Sequence, residues 1–445
     1  MIYQPQVHSI FTDSRKSFND NDLFVALRGE KFDAAQFVAT LIEKGLSHAF
    51  VNDIETNREL LKNFDQNRVT FVSDTNTFIK ECGLKKLKYW KSLSPKNKVL
   101  ALTGSNGKTS TKEMLASLMS VYPGKFHTTK GNLNNHLGVP FTILDMPLET
   151  EILILEMGTN HPGEIANLCD SGLPEAGLIT NIGQSHLEFF HNEDNVFIEK
   201  SELYHAISKV PDGVFLVNTN DIRLKKLKGK SSTISIGSEA GNDFVFSDQD
   251  ESFKIHYKGK IFDFSCPQII EPHNRYNMAM AVALCLSLWP ELDYKSAVKN
   301  YIPPKNNRSV VLSVDNKHVY LDAYNANPSS MEVSIKGFVN HWISKKKSDL
   351  KDAMFIIGDM NELGENAPRY HEGIGKLLEG LNVKDAHFIG RYADDYLKGF
   401  PNGKKYKDRH EFISKNGRKV GNWNCLGVFI KGSRTLQLEE LIDIT

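Results

Sequence analysis

A short apolar run, Val99 to Leu102, passes directly into Gly104-Ser105-Asn106-Gly107-Lys108-Thr109. A helix-like pattern follows from Thr111 to Val121, with apolar Met114, Leu115, Leu118 and Met119. Strand, glycine turn and helix in this order hold a nucleoside triphosphate. Backbone N–H groups of the turn and the positive end of the helix face the phosphates. Lys108 offsets phosphate charge, and the Thr109 hydroxyl is placed for Mg²⁺. The full Walker spacing has a glycine at position 102, where this chain has Leu102. The loop is therefore a P-loop of a particular kind. A chain built around it needs a parallel sheet whose strands end at the phosphate site.

The remaining composition narrows the class. The 445 residues are enough for two to four domains. The 54 basic residues equal the 54 acidic ones, so no nucleic-acid or anionic-membrane partner is expected. No apolar stretch approaches the roughly 20 residues that span a bilayer. The start, MIYQPQVHSIFTDSRK, lacks the charged head and apolar core of a signal peptide, so a cytoplasmic protein is expected. The cysteines (Cys82, Cys169, Cys266, Cys285 and Cys425) form no C-x-x-C. They read as reduced, buried small hydrophobes rather than a zinc site or disulfide framework. A monomer is expected.

The pattern along the chain divides into three α/β domains. Residues 1–94 carry short strand and helix signals, LFVALRG (23–29) and AAQFVATLIEKG (34–45), closed by a Lys-rich helix over 80–91. Ser94-Pro95-Lys96-Asn97 reads as a linker. Residues 95–303 alternate buried strands with helices: VLAL (99–102), EILILEMG (151–158), AGLITNIG (176–183) and DGVFLVNT (212–219). Continuous apolar runs of this kind predict a mostly parallel sheet covered on both faces. Residues 243–270 alternate like antiparallel strands, and a long helix is predicted over 277–288. A second linker falls at 302–307. Residues 304–445 repeat the α/β pattern, with strands at 319–324, 353–360, 386–390 and 426–433. A dinucleotide fingerprint is absent there. Gly373-Ile374-Gly375 lacks a third glycine at Leu378 and lies within a helical pattern.

Candidate site residues cluster after the central strands. Glu156 ends EILILE and His186 follows AGLITNIG, both at the carboxyl ends where such sites form. Histidine is an unusual ligand for a hard cation. Lys200, in the helix-like FIEKSELYHAI, reads on composition alone as a solvated lysine. GNLNNHLGVP (131–140) offers Asn132, Asn134 and Asn135 to a polar ligand or to an ordinary turn. Asn274 in HNRYN is placed to cap the following helix. Asp322 ends a strand before an amide-rich loop, LDAYNANPSSM, whose Asn and Pro also suit a plain turn.

Taken together, TGSNGKTST, NLNNHLGVP, EMGTNHPGEI, TNIGQSHLEFF, the lysine in FIEKSE, HNRYN and Arg308 resemble the motif series of the Mur ligases, over essentially the whole chain. LDAYNANPSSM, GDMNELG (358–364) and IKGSR (430–434) resemble its D-alanyl-D-alanine-adding branch. The resemblance implies three domains: a small α/β substrate domain, a central P-loop ATPase-type domain and a C-terminal Rossmann-like domain. It implies ATP and Mg²⁺ as cofactors. The substrates would be UDP-N-acetylmuramoyl-tripeptide and D-alanyl-D-alanine, joined through an acyl phosphate. It assigns Gly104, Ser105, Asn106, Gly107, Lys108, Thr109 and Ser110 to the ATP phosphates. Thr109, Glu156, His186 and a carbamylated Lys200 fall to metal, with Lys108, Glu156, His186 and Lys200 as the catalytic set. Asn274 and Asn277 would lie near the adenine, and Arg308 and Asp322 near the rest of the nucleotide. Ser14, Arg15, Asn132, Asn134 and Asn135 would meet the UDP-sugar. Asn325, Asn327, Lys431 and Arg434 would meet the peptide end.

Two departures stand out. Many members carry Asp-Gly-His where this chain has Asp33-Ala34-Ala35, and two successive Asp where it has Leu321-Asp322. The third domain is expected to close on the second about the 302–307 linker, excluding water from the reactive intermediate. Competing readings are another Mur or folylpolyglutamate-type ligase, a P-loop regulatory module and a small-molecule kinase.

Overall fold

The protein is described by a computed structural model covering residues 3–249, 251–303, 310–344 and 349–442. Three sheets follow one another along the chain. The first is fully parallel, in the order β1 (Ser9–Phe11), β2 (Asp22–Val25), β3 (His48–Asn52) and β4 (Val69–Val72). Helix α1 (Thr75–Leu93) leaves it and runs along the second sheet. Asp74 caps α1 by accepting from Thr77 N–H at 2.7 Å.

The second sheet contains β5 (Lys98–Thr103), β6 (Lys125–Thr128), β7 (Thr150–Glu156), β8 (Ala176–Ile179), β9 (Val214–Asn218), β10 (Thr233–Gly237), β11 (Phe244–Gln249), β12 (Ser252–Tyr257) and β13 (Lys260–Ser265). Its spatial order is β13-β12-β11-β10-β9-β8-β5-β7-β6. The pairs from β10–β11 through to β7–β6 are parallel, and β12 and β13 add an antiparallel hairpin at one edge. From β5 the chain winds to one side through β6 and β7, then to the other through β8. That reversal opens a crevice above the carboxyl ends of β5, β7 and β8, where ligands bind in open α/β sheets.

Helices α2 (Lys108–Leu118), α3 (Gly138–Asp145), α4 (Glu164–Gly172), α5 (Glu193–Ile207) and α6 (Pro272–Leu288) cover this sheet. The apolar stripe Met114, Leu115, Leu118 and Met119 is buried in one core cluster with residues 278–286 of α6. The sequence places Asn274 as a cap and starts the helix at 277. In the structure α6 begins at Pro272 and Asn274 lies inside its first turn. Proline is pre-set for that first helical position, which moves the start upstream.

The third sheet has the order β14 (Val310–Val314), β15 (Lys317–Asp322), β19 (Gly427–Lys431), β16 (Ala353–Gly358), β17 (Asp385–Ile389), β18 (Lys404–Tyr406). It is parallel except for the β14–β15 pair. Helices α7 (Pro328–Ser344) and α8 (Ala367–Gly380) flank it. Strands β14 and β18 lie at its two edges, and β18, only Lys404-Lys405-Tyr406, carries little apolar signal in the sequence. Arg308 and most of the 302–307 linker lie outside the described residues.

Helix α1 is bound to the second sheet by more than chain connection. Lys86 Nζ donates to Leu144 O at 2.7 Å, Trp90 Nε1 to Thr150 O at 2.6 Å, and Lys91 Nζ to Leu173 O at 3.0 Å. Burial pushes Lys86 down to about 8, against the pull of Asp145. Leu87 and Trp90 share one core cluster with Val99, Val139 and Ile143. A buried tryptophan in such a place contributes about 3–5 kcal/mol.

All five cysteines are buried and free. No helix among the described residues is long and apolar enough to cross a membrane.

Candidate active site

The phosphate loop sits where β5 ends. Gly104 has φ 150° and Gly107 has φ 78°, both outside the range L side chains favour. A Cβ on Gly104 would stand 1.9 Å from Thr180 Oγ1, and one on Gly107 2.7 Å from Asn277 Nδ2. Gly107 is also the N-cap of α2, so the first amides of that helix are left for a ligand. The loop backbone is held from β8: Ser105 N donates to Asn181 O, Asn106 N to Asn181 Oδ1, and Thr180 Oγ1 to Asn106 O. Replacing Gly104 with alanine is expected to remove nucleotide binding, read as lost ADP affinity in calorimetry, with fold retained. Ordinary ADP affinity in that variant would refute the tight fit.

Glu156 ends β7, in register with Leu102 of β5. Its Oε1 accepts from Thr109 Oγ1 at 3.1 Å and Asn134 Nδ2 at 2.8 Å. Its Oε2 is buried and has no hydrogen-bond partner. An orphaned carboxylate oxygen is costly unless something binds there. A carboxylate beside a hydroxyl at a phosphate loop suits Mg²⁺, which takes one or two carboxylates and fills its remaining positions with phosphate oxygens and water. Among the described residues no three His, Cys, Asp or Glu side chains converge as a metal-binding group. The donor set therefore fits a cation held jointly with a nucleotide.

Lys200, on α5, is 1 % exposed, not solvated as its composition suggests. Burial drives its ammonium well below the ordinary lysine range, the neighbouring Lys108 charge adds to this, and Glu199 opposes it. Glu199 is itself occupied, accepting from Thr159 Oγ1 and from the amides of Gly163 and Ile165. Lys108 Nζ donates to Gly104 O at 2.6 Å, folding back over the loop. His186 caps the helix Leu187–Phe190 with φ 52°. Its Nδ1 lies 2.5 Å from Glu362 Oε2, which belongs to the third sheet. The bond to His186 holds the Glu362 carboxyl below its usual range, against the opposing effect of burial.

A cavity of about 340 Å³ opens between the loop and the third sheet. It gathers Ser105, Asn106, Gly107, Lys108 and Ser110 with Asn274, Asn277, Asp322, Asn325 and Lys431. Lys431 forms a buried ion pair with Asp322, its register partner on the neighbouring strand, and donates to Asn325 O at 3.2 Å. Lys431 thus lines the same cavity as the phosphate loop. His273, Tyr324 and Ser329 also line it and were not singled out from sequence. Burial pushes His273 down to about 4, so it stands neutral there. Asn327 Nδ2 donates to Asn106 Oδ1 at 2.8 Å, and Asn106 Nδ2 to Ser329 Oγ at 3.0 Å. The loop and the start of α7 are thereby joined.

Residues 102–285 match the Mur ligase middle domain. The UDP-N-acetylmuramoyl-tripeptide–D-alanyl-D-alanine ligase of Buchnera aphidicola subsp. Baizongia pistaciae is 30% identical over 451 residues, covering 99% of this chain and 93% of that protein. The chain belongs to the Mur ligase family. The enzyme of the same name from Bacillus subtilis is 29% identical over 99% of this chain and 93% of its own length. Among solved structures, MurF from Acinetobacter baumannii superposes with a TM-score of 0.83 at 29% identity, covering 98% of this chain and 92% of that one. MurF ligase from Thermotoga maritima, solved in complex with ADP, shares the fold, with a TM-score of 0.81 at 22% identity over 99% and 97% of the two chains. This Mur ligase is thus an ATP-dependent ligase on a three-domain α/β fold.

The other sequence candidates lie apart from the nucleotide cavity. A second cavity of about 640 Å³ lies between the first sheet's leading segment and the second sheet, lined by Thr12, Lys16, Lys86, His127, Lys130 and Leu133 among others. Neighbouring Ser14 is half-buried, and Arg15 is exposed and paired with Asp13 at 2.8 Å. Asn132 and Asn135 are exposed, and Asn135 Oδ1 accepts from Gly138 N at 2.9 Å, bracing the start of α3. Arg434 is exposed and paired with Glu439.

Proposed function

We propose that this ligase joins D-alanyl-D-alanine to UDP-N-acetylmuramoyl-tripeptide, with ATP converted to ADP and phosphate. The observation that carries it is the phosphate cradle sharing one site with Glu156, whose outer oxygen is buried and unpartnered. The named relatives and the 321–331 and 430–434 segments support the choice of substrates within the family.

The difficulty of the reaction lies in a carboxylate, which is anionic and has no good leaving group. A tripeptide carboxylate oxygen attacks the γ-phosphorus, the bond to ADP breaks, and an acyl phosphate forms. The dipeptide amine then attacks the acyl carbon, loses a proton, and phosphate leaves. The amides at the start of α2 orient the phosphates, and Lys108 offsets charge gathered on them. Thr109 and Glu156 would hold Mg²⁺, with His186 and Lys200 beside a second ion. Bound there, Mg²⁺ would neutralise the phosphate oxygens and make the γ-phosphorus a better electrophile. A neutral Lys200 amine is the form that reacts with CO₂ to give a carbamate and a proton. That exchange would replace an amine nitrogen with a pair of carboxylate-like oxygens. Asp322, Asn274, Asn277 and Arg308 would bind the nucleoside. Ser14, Arg15, Asn132, Asn134 and Asn135 would meet the UDP-sugar, and Asn325, Asn327, Lys431 and Arg434 the peptide end. Domain limits near residues 94 and 303 suit the three sheets.

A substrate matrix tests the reading. ATP, Mg²⁺ and UDP-N-acetylmuramoyl-tripeptide are incubated separately with D-alanyl-D-alanine, L-lysine, diaminopimelate and glutamate. ADP release with a mass gain is expected only with the dipeptide. Turnover with a single amino acid instead would overturn it.

A further inference from the structure

Two non-glycine residues with left-handed backbones meet across the second and third sheets. His186 has φ 52° and Glu362 has φ 62°, and their side chains touch at 2.5 Å. Such a backbone is unfavourable for a residue with a side chain and persists only where its surroundings enforce it. The surroundings of Glu362 do so. Asp359, three residues earlier, accepts from Arg391 N and Tyr392 N at 2.8 and 3.0 Å. Met360 N donates to Nε2 of the fully buried His371 at 3.0 Å, and the other ring nitrogen of His371 bonds Ala367 O. Asn361 N donates to Ser433 Oγ at 3.1 Å. The loop is thus fixed residue by residue up to Glu362.

The opposite side is fixed as well. Glu188 N donates to Glu362 O at 3.1 Å, so the partner helix holds the backbone of Glu362 while His186 holds its side chain. Gly364, at φ 60°, lets the chains approach so closely that a Cβ there would lie 3.3 Å from Glu188 Cα. Leu187, Phe190, Met360 and Leu363 are buried in one continuous apolar cluster. His186 Nδ1 is buried, makes no aligned hydrogen bond, and has Glu362 Oε2 at ion-pair distance.

A histidine that ligates a metal through one nitrogen commonly donates its other N–H to a carboxylate, which sets tautomer and ring direction. We propose that Glu362 is a positioning residue of this ligase, delivered by the third sheet to hold His186 Nδ1 so that Nε2 is free to ligate. The metal site is then complete only when the third sheet is docked on the second. This rests on the reading that His186 takes part in metal binding.

The test uses Mn²⁺ as probe, with binding to the full chain plus ADP followed by electron paramagnetic resonance. Glu362→Ala is expected to bind Mn²⁺ about tenfold more weakly, with kcat lowered about tenfold and KM for ATP little changed. Glu362→Gln keeps an oxygen able to accept from Nδ1–H and is expected to recover most of the affinity. Thermal melts check that both variants fold. Parent-like Mn²⁺ affinity in Glu362→Ala, alongside weakened binding in His186→Ala, would overturn the proposal and leave the metal reading standing. Parent-like affinity in both would remove the metal reading and the proposal with it.

Discussion

Replacing Lys200 with methionine is expected to lower kcat by about 10³-fold or more while leaving the melting temperature unchanged or raised. The two signs come from one cause. Lys200 is buried on α5 beside a second cation, Lys108, so its ammonium is held well below the ordinary lysine range. Over the pH range below the ordinary lysine value, the unfolded chain holds a proton here more firmly than the folded chain does. The unmodified side chain therefore lowers stability at neutral pH, and this penalty fades as pH rises toward the ordinary lysine value of 10.5. Methionine fills a similar volume with no charge to desolvate. ADP release and calorimetric melting measure the two effects. A variant that keeps activity within tenfold of the parent would remove Lys200 from the catalytic set. One that melts much lower and is inactive would make its role structural instead.

Lys108→Met is expected to lower kcat/KM for ATP by about 10²–10³-fold, with the melting temperature kept. Lys108 opens α2 and reaches back to Gly104 O, so its charge hangs over the phosphate cradle rather than supporting a core. Methionine retains the apolar stem and the helix propensity, so only the charge is lost. Calorimetry with ADP separates ground-state binding from the chemical step. A kcat near the parent value would assign Lys108 to binding alone.

The phosphate loop, Glu156 and the central strands were legible because their signals are local: a glycine spacing, an apolar run, a residue at its end. The burial of Lys200 was not. Neighbours on its helix suggest a solvated face, and only the packing of α5 against the sheet encloses the side chain. Nor was the partnership of Asp322 with Lys431, which depends on β15 and β19 being adjacent and in one register. Glu362 lay inside a motif visible in the sequence, GDMNELG, without a role. Its meeting with His186 depends on how two sheets dock, which no local pattern encodes.

Helix α1 has a consequence for modularity. The donors of Lys86, Trp90 and Lys91 end on three separate carbonyls, of α3, of β7 and of the residue that follows α4, and a Cβ on Gly83 would stand 3.3 Å from Pro140 Cα. The leading sheet is therefore welded to the nucleotide-binding unit, whereas the trailing sheet meets it through a few polar side chains and the short helix at 187–190. Cutting the chain before Lys98 would strip a wall from the central core and leave Val139 and Ile143 facing water. The molecule is better regarded as two bodies than three: the first two sheets locked together, and the third docked against them.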